Sequence, residues 1–120
     1  AGSGDAVPKG REDAVGAAGA SRRDDRRLAA QRRVQLAERL RPLDREIGGI
    51  EQRLAAIEAR LATIEARLAD PAVYRDPAEA GTLGRERASL EREQGELEER
   101  WLERSTARDA EREAFGRDPV

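Results

Sequence analysis

The sequence contains no cysteine and no histidine, and its 120 residues include one tryptophan, one tyrosine and one phenylalanine. Without cysteine and histidine the chain cannot form disulfides, thiolate nucleophiles, the usual zinc sites or a histidine general base. Aromatic residues make up 2% of the chain and charged residues 40%, a balance that cannot fill a globular core. The composition suits a long helix or coiled coil, which needs only one apolar stripe.

Long apolar runs are also absent. No stretch approaches the roughly 20 residues of a membrane-spanning helix, and the N-terminal region lacks the apolar core of a signal peptide. We therefore expect a cytoplasmic protein that does not contact a membrane. No catalytic constellation is recognisable, because the carboxylates and arginines follow the flanks of predicted helices without an enclosed pocket. We expect this chain to be no enzyme and to bind no metal or cofactor.

Apolar residues recur at alternating intervals of four and three in the middle of the chain. The members of this series are Leu36, Leu40, Leu43, Ile47, Ile50, Leu54, Ile57, Leu61, Ile64 and Leu68. This heptad spacing predicts a helix with an apolar seam along one side. Such a seam requires a partner helix to cover it.

A segment with two prolines follows the seam and predicts a tight turn. Pro71 should end the first helix, while Asp76 should cap a second helix that starts at Pro77. Glu79 should complete a capping box at that start. The turn residues are Asp70, Pro71, Tyr74, Asp76 and Pro77, and we expect Tyr74 to pack at the tip. Because the loop is short, the second helix must run back along the first.

The second helix contributes a seam of its own, formed by Leu83, Leu90, Leu97 and Trp101. An antiparallel register aligns this seam with the first one. The predicted apolar pairs are Leu68–Leu83, Leu61–Leu90, Leu54–Leu97, Ile50–Trp101 and Leu36–Phe115. On one flank this register pairs Arg67 with Glu86 and Arg60 with Glu93. On the other flank Glu58 lies near Glu91 and Glu51 near Glu98, which makes that edge acidic.

The predicted fold is all-α: an antiparallel two-helix coiled-coil hairpin, preceded by a basic helical segment and a disordered linker. We expect a flexible Gly/Ala/Ser-rich linker at 1–21, a hairpin at 22–115 and a frayed tail at 116–120. Within the hairpin, the arms should span about 22–69 and 77–115, with the turn at 70–77. Pro42 lies inside the heptad run and predicts a kink or break there. The proline-containing turn favours a monomeric hairpin over a continuous parallel oligomer.

Positive charge is concentrated just before and at the start of the seam. Nine arginines and four acids lie between positions 22 and 45, although the whole chain has a net charge of −2. Arginine forks match phosphate oxygens, so we take these residues as candidate nucleic-acid contacts. They are Arg22, Arg23, Arg26, Arg27, Arg32, Arg33, Arg39, Arg41 and Arg45. A solvated helix face is the alternative, and no aromatic residue among them supports stacking on single-stranded bases.

The segments RRLAAQRR, RLRPLDREI, IEARLADPAVYRDPAE and LEREQGELEERWLE follow one another in this order. Together, over roughly residues 22–113, they resemble the C-terminal domain of ABC-F ATPases, proteins with two ATP-binding cassettes and no membrane domain. The resemblance implies a non-catalytic C-terminal extension of such an ATPase, acting in translation on or near the ribosome. ATP and magnesium would bind only in the missing cassettes, since this chain has neither a Walker A motif nor a cassette signature.

Two functions remain open at this stage. The basic helix and the resemblance predict non-sequence-specific binding to ribosomal RNA or DNA. The coiled coil equally fits a structural spacer, or a module for protein docking or self-association, that does not bind nucleic acid.

Overall fold

A computed structural model describes residues 8–117 of the chain, with side chains from 16 to 116. This part consists of helix α1 (Pro8–Ala69), a 3₁₀ turn helix (Pro71–Arg75) and helix α2 (Pro77–Arg117), and it contains no strand. The predicted all-α hairpin is therefore confirmed. The chain divides into two units, Ala1–Glu38 and Arg39–Val120, of which the second contains the hairpin. The last three residues of the predicted frayed tail lie outside the described residues.

The beginning of α1 differs from the prediction of a flexible linker. Residues 8–21 belong to α1, while the other residues of the predicted linker, 1–7, lie outside the described part of the chain. Pro8 occupies the first helical position, where a missing N–H costs nothing. Alanine is the best helix former, and a glycine costs only about 1 kcal/mol in a helix. The alanines of this segment therefore outweigh its glycines.

The helix also continues through Pro42, so the predicted break does not occur. Pro42 is exposed on the outer side of the hairpin. Its missing N–H leaves only the Glu38 carbonyl without a helical donor. On the inner side Leu40 and Ile47 keep 6% and 3% of their surface exposed. This burial keeps α1 continuous across the proline. A kink at this position stays a prediction.

The predicted seam of α1 is confirmed in full, because all ten of its residues are buried or half-buried. Ile57 and Ile64 have no exposed surface at all. Near the turn, Ile64 forms a cluster with Val73 and Leu83, and Leu68 and Leu90 pack against this cluster. Near the turn, the seams of the two helices thus cover each other and pack against Val73 of the turn helix.

The turn helix is held by its caps and by one buried side chain. Asp70 Oδ1 accepts the Ala72 N–H at 3.0 Å, and Val73 is only 6% exposed. Tyr74 is 59% exposed, so the prediction that it packs at the tip is wrong. Val73 takes that role, because the turn helix directs it towards Ile64 and Leu83.

Helix α2 starts at Pro77, as predicted. Asp76 Oδ1 accepts the backbone N–H groups of Ala78 at 3.1 Å and Glu79 at 3.3 Å, which confirms Asp76 as the cap. The predicted capping box is not formed. The Asp76 N–H donates to the Val73 carbonyl at 3.2 Å, and the Glu79 carboxylate pairs with Arg67 instead.

The ion pairs on one flank have other partners than predicted. Arg67 pairs with Glu79, Arg60 with Glu86 and Arg53 with Glu93. The observed partners of Arg67 and Arg60 lie one heptad nearer to the turn than the glutamates predicted for them. The predicted alignment would have placed Arg53 opposite Arg100 and left Glu79 unpaired. The observed alignment gives every arginine of this flank a carboxylate.

Farther from the turn, the same flank changes its spacing. Glu46 pairs with Arg104 at 2.8 Å, so the step along α2 from Glu93 to Arg104 is eleven residues rather than seven. Four extra residues in a heptad pattern constitute a stutter, which locally unwinds a coiled coil. Ser105 is consequently 8% exposed and enters the seam, whereas Trp101 is 37% exposed at its edge.

The other flank is less repulsive than its glutamates suggest. Arg87 lies between two of them, with Nη2 3.4 Å from Glu65 and Nε 3.1 Å from Glu91. The Trp101 indole N–H donates to Glu51 at 3.0 Å. Arg87, which interrupts the apolar seam of α2, therefore provides a cation for this edge, and Trp101 at the end of the seam provides a donor.

Candidate nucleic-acid interface

Five of the six candidate arginines in the first unit are exposed to solvent. Every residue from 20 to 31 is exposed. The side chains of Arg22 and Arg23 lie back along the helix, where each Nε donates to the carbonyl four residues earlier at 3.4 Å. These bonds use only the Nε–H of each guanidinium. The terminal N–H groups stay available for an external acceptor.

Five of these arginines share one side of the helix. At about 100° per residue, Arg22, Arg26 and Arg33 lie within about 40° of one another, and Arg23 and Arg27 follow on the adjacent surface. Together they cover an arc of about 140°. We call Arg22, Arg23, Arg26, Arg27 and Arg33 the basic face.

The acidic residues of this segment lie elsewhere on the helix. Asp24 and Asp25 fall outside the arc of the basic face at the same angular spacing. Arg32 also points away from it, is half-buried and has an interaction of its own. The structure thus separates Arg32 from the other candidates of this unit and leaves positive charge segregated on one side.

The three candidates in the second unit differ in their surroundings. Arg39 Nη1 lies 3.7 Å from a carboxylate oxygen of Glu111, and its guanidinium carbon lies 5.7 Å from the ring centroid of Phe115. Arg39 is therefore engaged within the hairpin. Arg41 and Arg45 are exposed, lie one helical turn apart and have no ion pair among the described residues. These two remain accessible to a ligand.

The arginines inside the hairpin have a different electrostatic role. Hydrogen bonding and attraction from Arg60 lower the pKa of Glu86, and Arg53 lowers the pKa of Glu93 in the same way. The pKa values of Arg53 and Arg60 are raised for the reciprocal reason. Their positive charges are matched by α2, whereas those of the basic face are not matched by the acids of its own segment.

The predicted turn residues Asp70, Pro71, Tyr74, Asp76 and Pro77 all lie at the tip of the hairpin. Sequence analysis did not single out Arg75, which is exposed beside Tyr74. The signal for Arg75 in the sequence is its position between Tyr74 and the predicted cap Asp76. The described residues contain no group of acidic side chains that could hold a metal ion. None of their helices has an apolar stretch long enough to cross a membrane.

A comparison with protein families gives one match. The family described as "ABC transporter C-terminal domain" matches residues 41–105, which is just over half of the chain. This segment includes the turn and most of both hairpin arms. No curated protein and no solved structure matches the chain significantly. The basic face lies before the matched segment.

Proposed function

The chain belongs to the family of ABC transporter C-terminal domains, and we propose that it serves an ABC-F ATPase by binding nucleic acid through its basic face. The assignment to ABC-F rests on the order of the sequence segments around the turn and the return helix. The binding rests on one observation, the segregation of five exposed arginines from Asp24 and Asp25 of the same segment. The proposed ligand is ribosomal RNA or DNA in a cytoplasmic, translation-related setting.

The geometry of the basic face suits a phosphate backbone. At 1.5 Å per residue, Arg22 and Arg26 are about 6 Å apart along the helix axis, and Arg33 follows after about 10 Å. Arginine side chains are long enough to reach successive phosphates from such positions, and their forks match phosphate oxygens. Phosphates carry no sequence information, so binding should be non-sequence-specific and should weaken steeply with salt.

The test is fluorescence anisotropy of labelled duplex DNA and structured RNA, titrated with the full chain at two salt concentrations. The variant Arg22→Glu/Arg26→Glu/Arg33→Glu should abolish binding. A matched control reverses three exposed arginines of α2, as Arg85→Glu/Arg92→Glu/Arg100→Glu, and should retain most of the affinity. The neutral variant Arg22→Ala/Arg26→Ala/Arg33→Ala should reduce the salt slope on duplex DNA by about 2.7, at 0.9 per phosphate contact.

Two results would refute the assignment to the basic face. One is unchanged affinity after the three charges are reversed. The other is an equal loss in the control, which would show a response to net charge alone. Cosedimentation with ribosomes at low and high salt then tests whether ribosomal RNA is the relevant ligand.

The hairpin itself favours a second function, a structural spacer or protein-docking arm. Interhelical ion pairs follow one flank from Arg67 to Arg39, so the cations of this flank are already matched by carboxylates of the facing helix. A rod of this kind can position attached domains without binding nucleic acid. Analytical ultracentrifugation across a concentration series, combined with absent binding in the anisotropy experiment, would support this function.

A further inference from the structure

The tip of the hairpin holds an aromatic ring in a fixed and exposed position. Tyr74 is 59% exposed, and its hydroxyl donates to the Leu68 carbonyl at 2.7 Å. The packing role at the tip belongs to Val73, which is 6% exposed. The ring of Tyr74 is therefore attached to the turn by its hydroxyl, while much of its surface faces solvent.

The hydrogen bond of Tyr74 explains why this residue carries a hydroxyl, but it does not explain why an aromatic ring is exposed at the tip. The hydroxyl satisfies one of the carbonyl groups that lack a helical partner at the end of α1. The exposed part of the ring gains no free energy from burial in this arrangement. A ring that is already held by a hydrogen bond has little side-chain freedom left to lose when a ligand covers it. Tyr74 is consequently preorganised for contact with a flat partner.

Arg75 follows Tyr74 directly in the chain. It is exposed and has no ion pair among the described residues. The nearest capping carboxylates, Asp70 and Asp76, each accept backbone N–H groups. An exposed aromatic residue followed by an exposed arginine provides the two groups that bind single-stranded nucleic acids, a ring that stacks on a base and a cation that contacts a phosphate.

The other two aromatic rings do not offer this combination. The Trp101 indole N–H is bonded to Glu51, and Trp101 is less exposed than Tyr74. Phe115 is half-buried beneath the guanidinium of Arg39. Among the three aromatic residues, only Tyr74 combines a largely exposed ring with a neighbouring unpaired arginine.

We propose that the hairpin tip binds an unpaired nucleobase of RNA or DNA, which stacks on Tyr74 while Arg75 contacts the adjacent phosphate. This inference rests on the proposed function and adds a contact that the basic face does not provide. The basic face binds phosphates irrespective of base pairing. The tip requires a base that is free to leave its stack, as in a loop or a bulge.

The test compares three labelled probes with the full chain: an RNA hairpin with an unpaired loop, the same stem as a fully paired RNA duplex, and a DNA hairpin of the same sequence. The wild type should bind the RNA hairpin more tightly than the duplex. The variant Tyr74→Leu should lose this preference, with a loss of roughly tenfold to a hundredfold for one stacked base. The DNA hairpin shows whether the sugar contributes to recognition.

The variant Tyr74→Phe is the matched control. Both variants lose the hydrogen bond to Leu68, but only Tyr74→Phe keeps the ring, so the difference between them reports stacking. Tyr74→Phe should retain the preference for the loop. The variant Arg75→Ala should reduce the salt slope on the looped probe by roughly 0.7, the value for one phosphate contact to a single strand.

The outcomes separate the two proposals. Equal wild-type affinity for the looped and paired probes would overturn the tip as a binding site and leave the basic face intact. Equal weakening by Tyr74→Leu and Tyr74→Phe would show that only the hydroxyl matters, which also overturns the inference. No binding to any probe at low salt would refute the proposed function, and the inference with it.

Discussion

Arg60 and Glu86 form a two-point ion pair across the hairpin, with Nε 2.7 Å from Oε1 and Nη2 2.8 Å from Oε2. This parallel geometry is the most specific contact that an arginine makes with a carboxylate. Arg53 and Glu93 repeat the arrangement one heptad farther from the turn. These pairs follow from the alignment of α1 and α2, and they lead to the first prediction.

A double-mutant cycle should find coupling between Arg60 and Glu86 but none between Arg60 and Glu93. The cycles use Arg60→Ala with Glu86→Ala and with Glu93→Ala, and thermal unfolding followed by circular dichroism gives the stability of each variant. Only residues in contact show a coupling energy. Coupling confined to Arg60 and Glu93 would mean that the helices are aligned one heptad differently in solution.

Stability should fall as pH is lowered through the acidic range. The pKa values of Glu86 and Glu93 are below the usual 4.5 in the folded chain because Arg60 and Arg53 bond to the ionised carboxylates. At a pH above the glutamate pKa of the unfolded chain, the carboxylates are ionised in both states and stability does not change with pH. Below that pKa the unfolded chain binds more protons than the folded chain, so stability decreases until the pH has passed the pKa of the folded chain. Melting curves between pH 7 and pH 2 should show this decrease.

The variant Arg53→Ala/Arg60→Ala provides the control for the pH experiment. It removes the groups that lower the two glutamate pKa values, so its stability should depend less on pH over the same range. An identical pH dependence in the variant would attribute the effect to other carboxylates.

Replacing Gly48 and Gly49 by alanine should stabilise the hairpin. An added Cβ at either position has no atom within 4 Å. Each glycine costs up to about 1 kcal/mol relative to alanine inside a helix, so Gly48→Ala/Gly49→Ala should add about 1 to 2 kcal/mol to the free energy of unfolding. Chemical denaturation measures this change. A decrease in stability would show that these glycines accommodate a strained backbone next to the stutter.

Val73→Ala should destabilise the hairpin more than Tyr74→Phe. Val73 is buried between Ile64 and Leu83, so removing its two methyl groups should cost about 2 kcal/mol, including the cavity left behind. Tyr74→Phe removes one hydrogen bond and should cost about 1 kcal/mol. Urea unfolding of both variants decides the order. The reverse order would show that the hydrogen bond of the Tyr74 hydroxyl stabilises the tip more than the burial of Val73 does.

Local features of the fold could be predicted well from the sequence. The spacing of the seam residues and the cap formed by Asp76 depend on neighbours within a few positions. Both were therefore predicted correctly. The helical start at residues 8–21 was missed because a high content of glycine and serine was given more weight than the alanines between them.

The candidate site was predictable in composition but not in arrangement. The cluster of arginines is visible in the sequence, and the basic face follows once a helix is assumed. The engagement of Arg39 with Glu111 and Phe115 could not be predicted, because it depends on where α2 lies against α1. The exposure of Tyr74 depends in the same way on Val73 filling the space beneath the turn.

The sequence by itself determined that this chain forms two helices with one seam each and a capped turn between them. Those properties arise from residue spacing, helix propensity and capping, which act over one or two helical turns. Only the tertiary structure decided that Arg67 pairs with Glu79, that the seam shifts to include Ser105 and that Val73 fills the tip. These outcomes depend on how the two helices are aligned along their axes. Long side chains can reach partners in more than one heptad, and only the packing of the apolar seam selects one alignment.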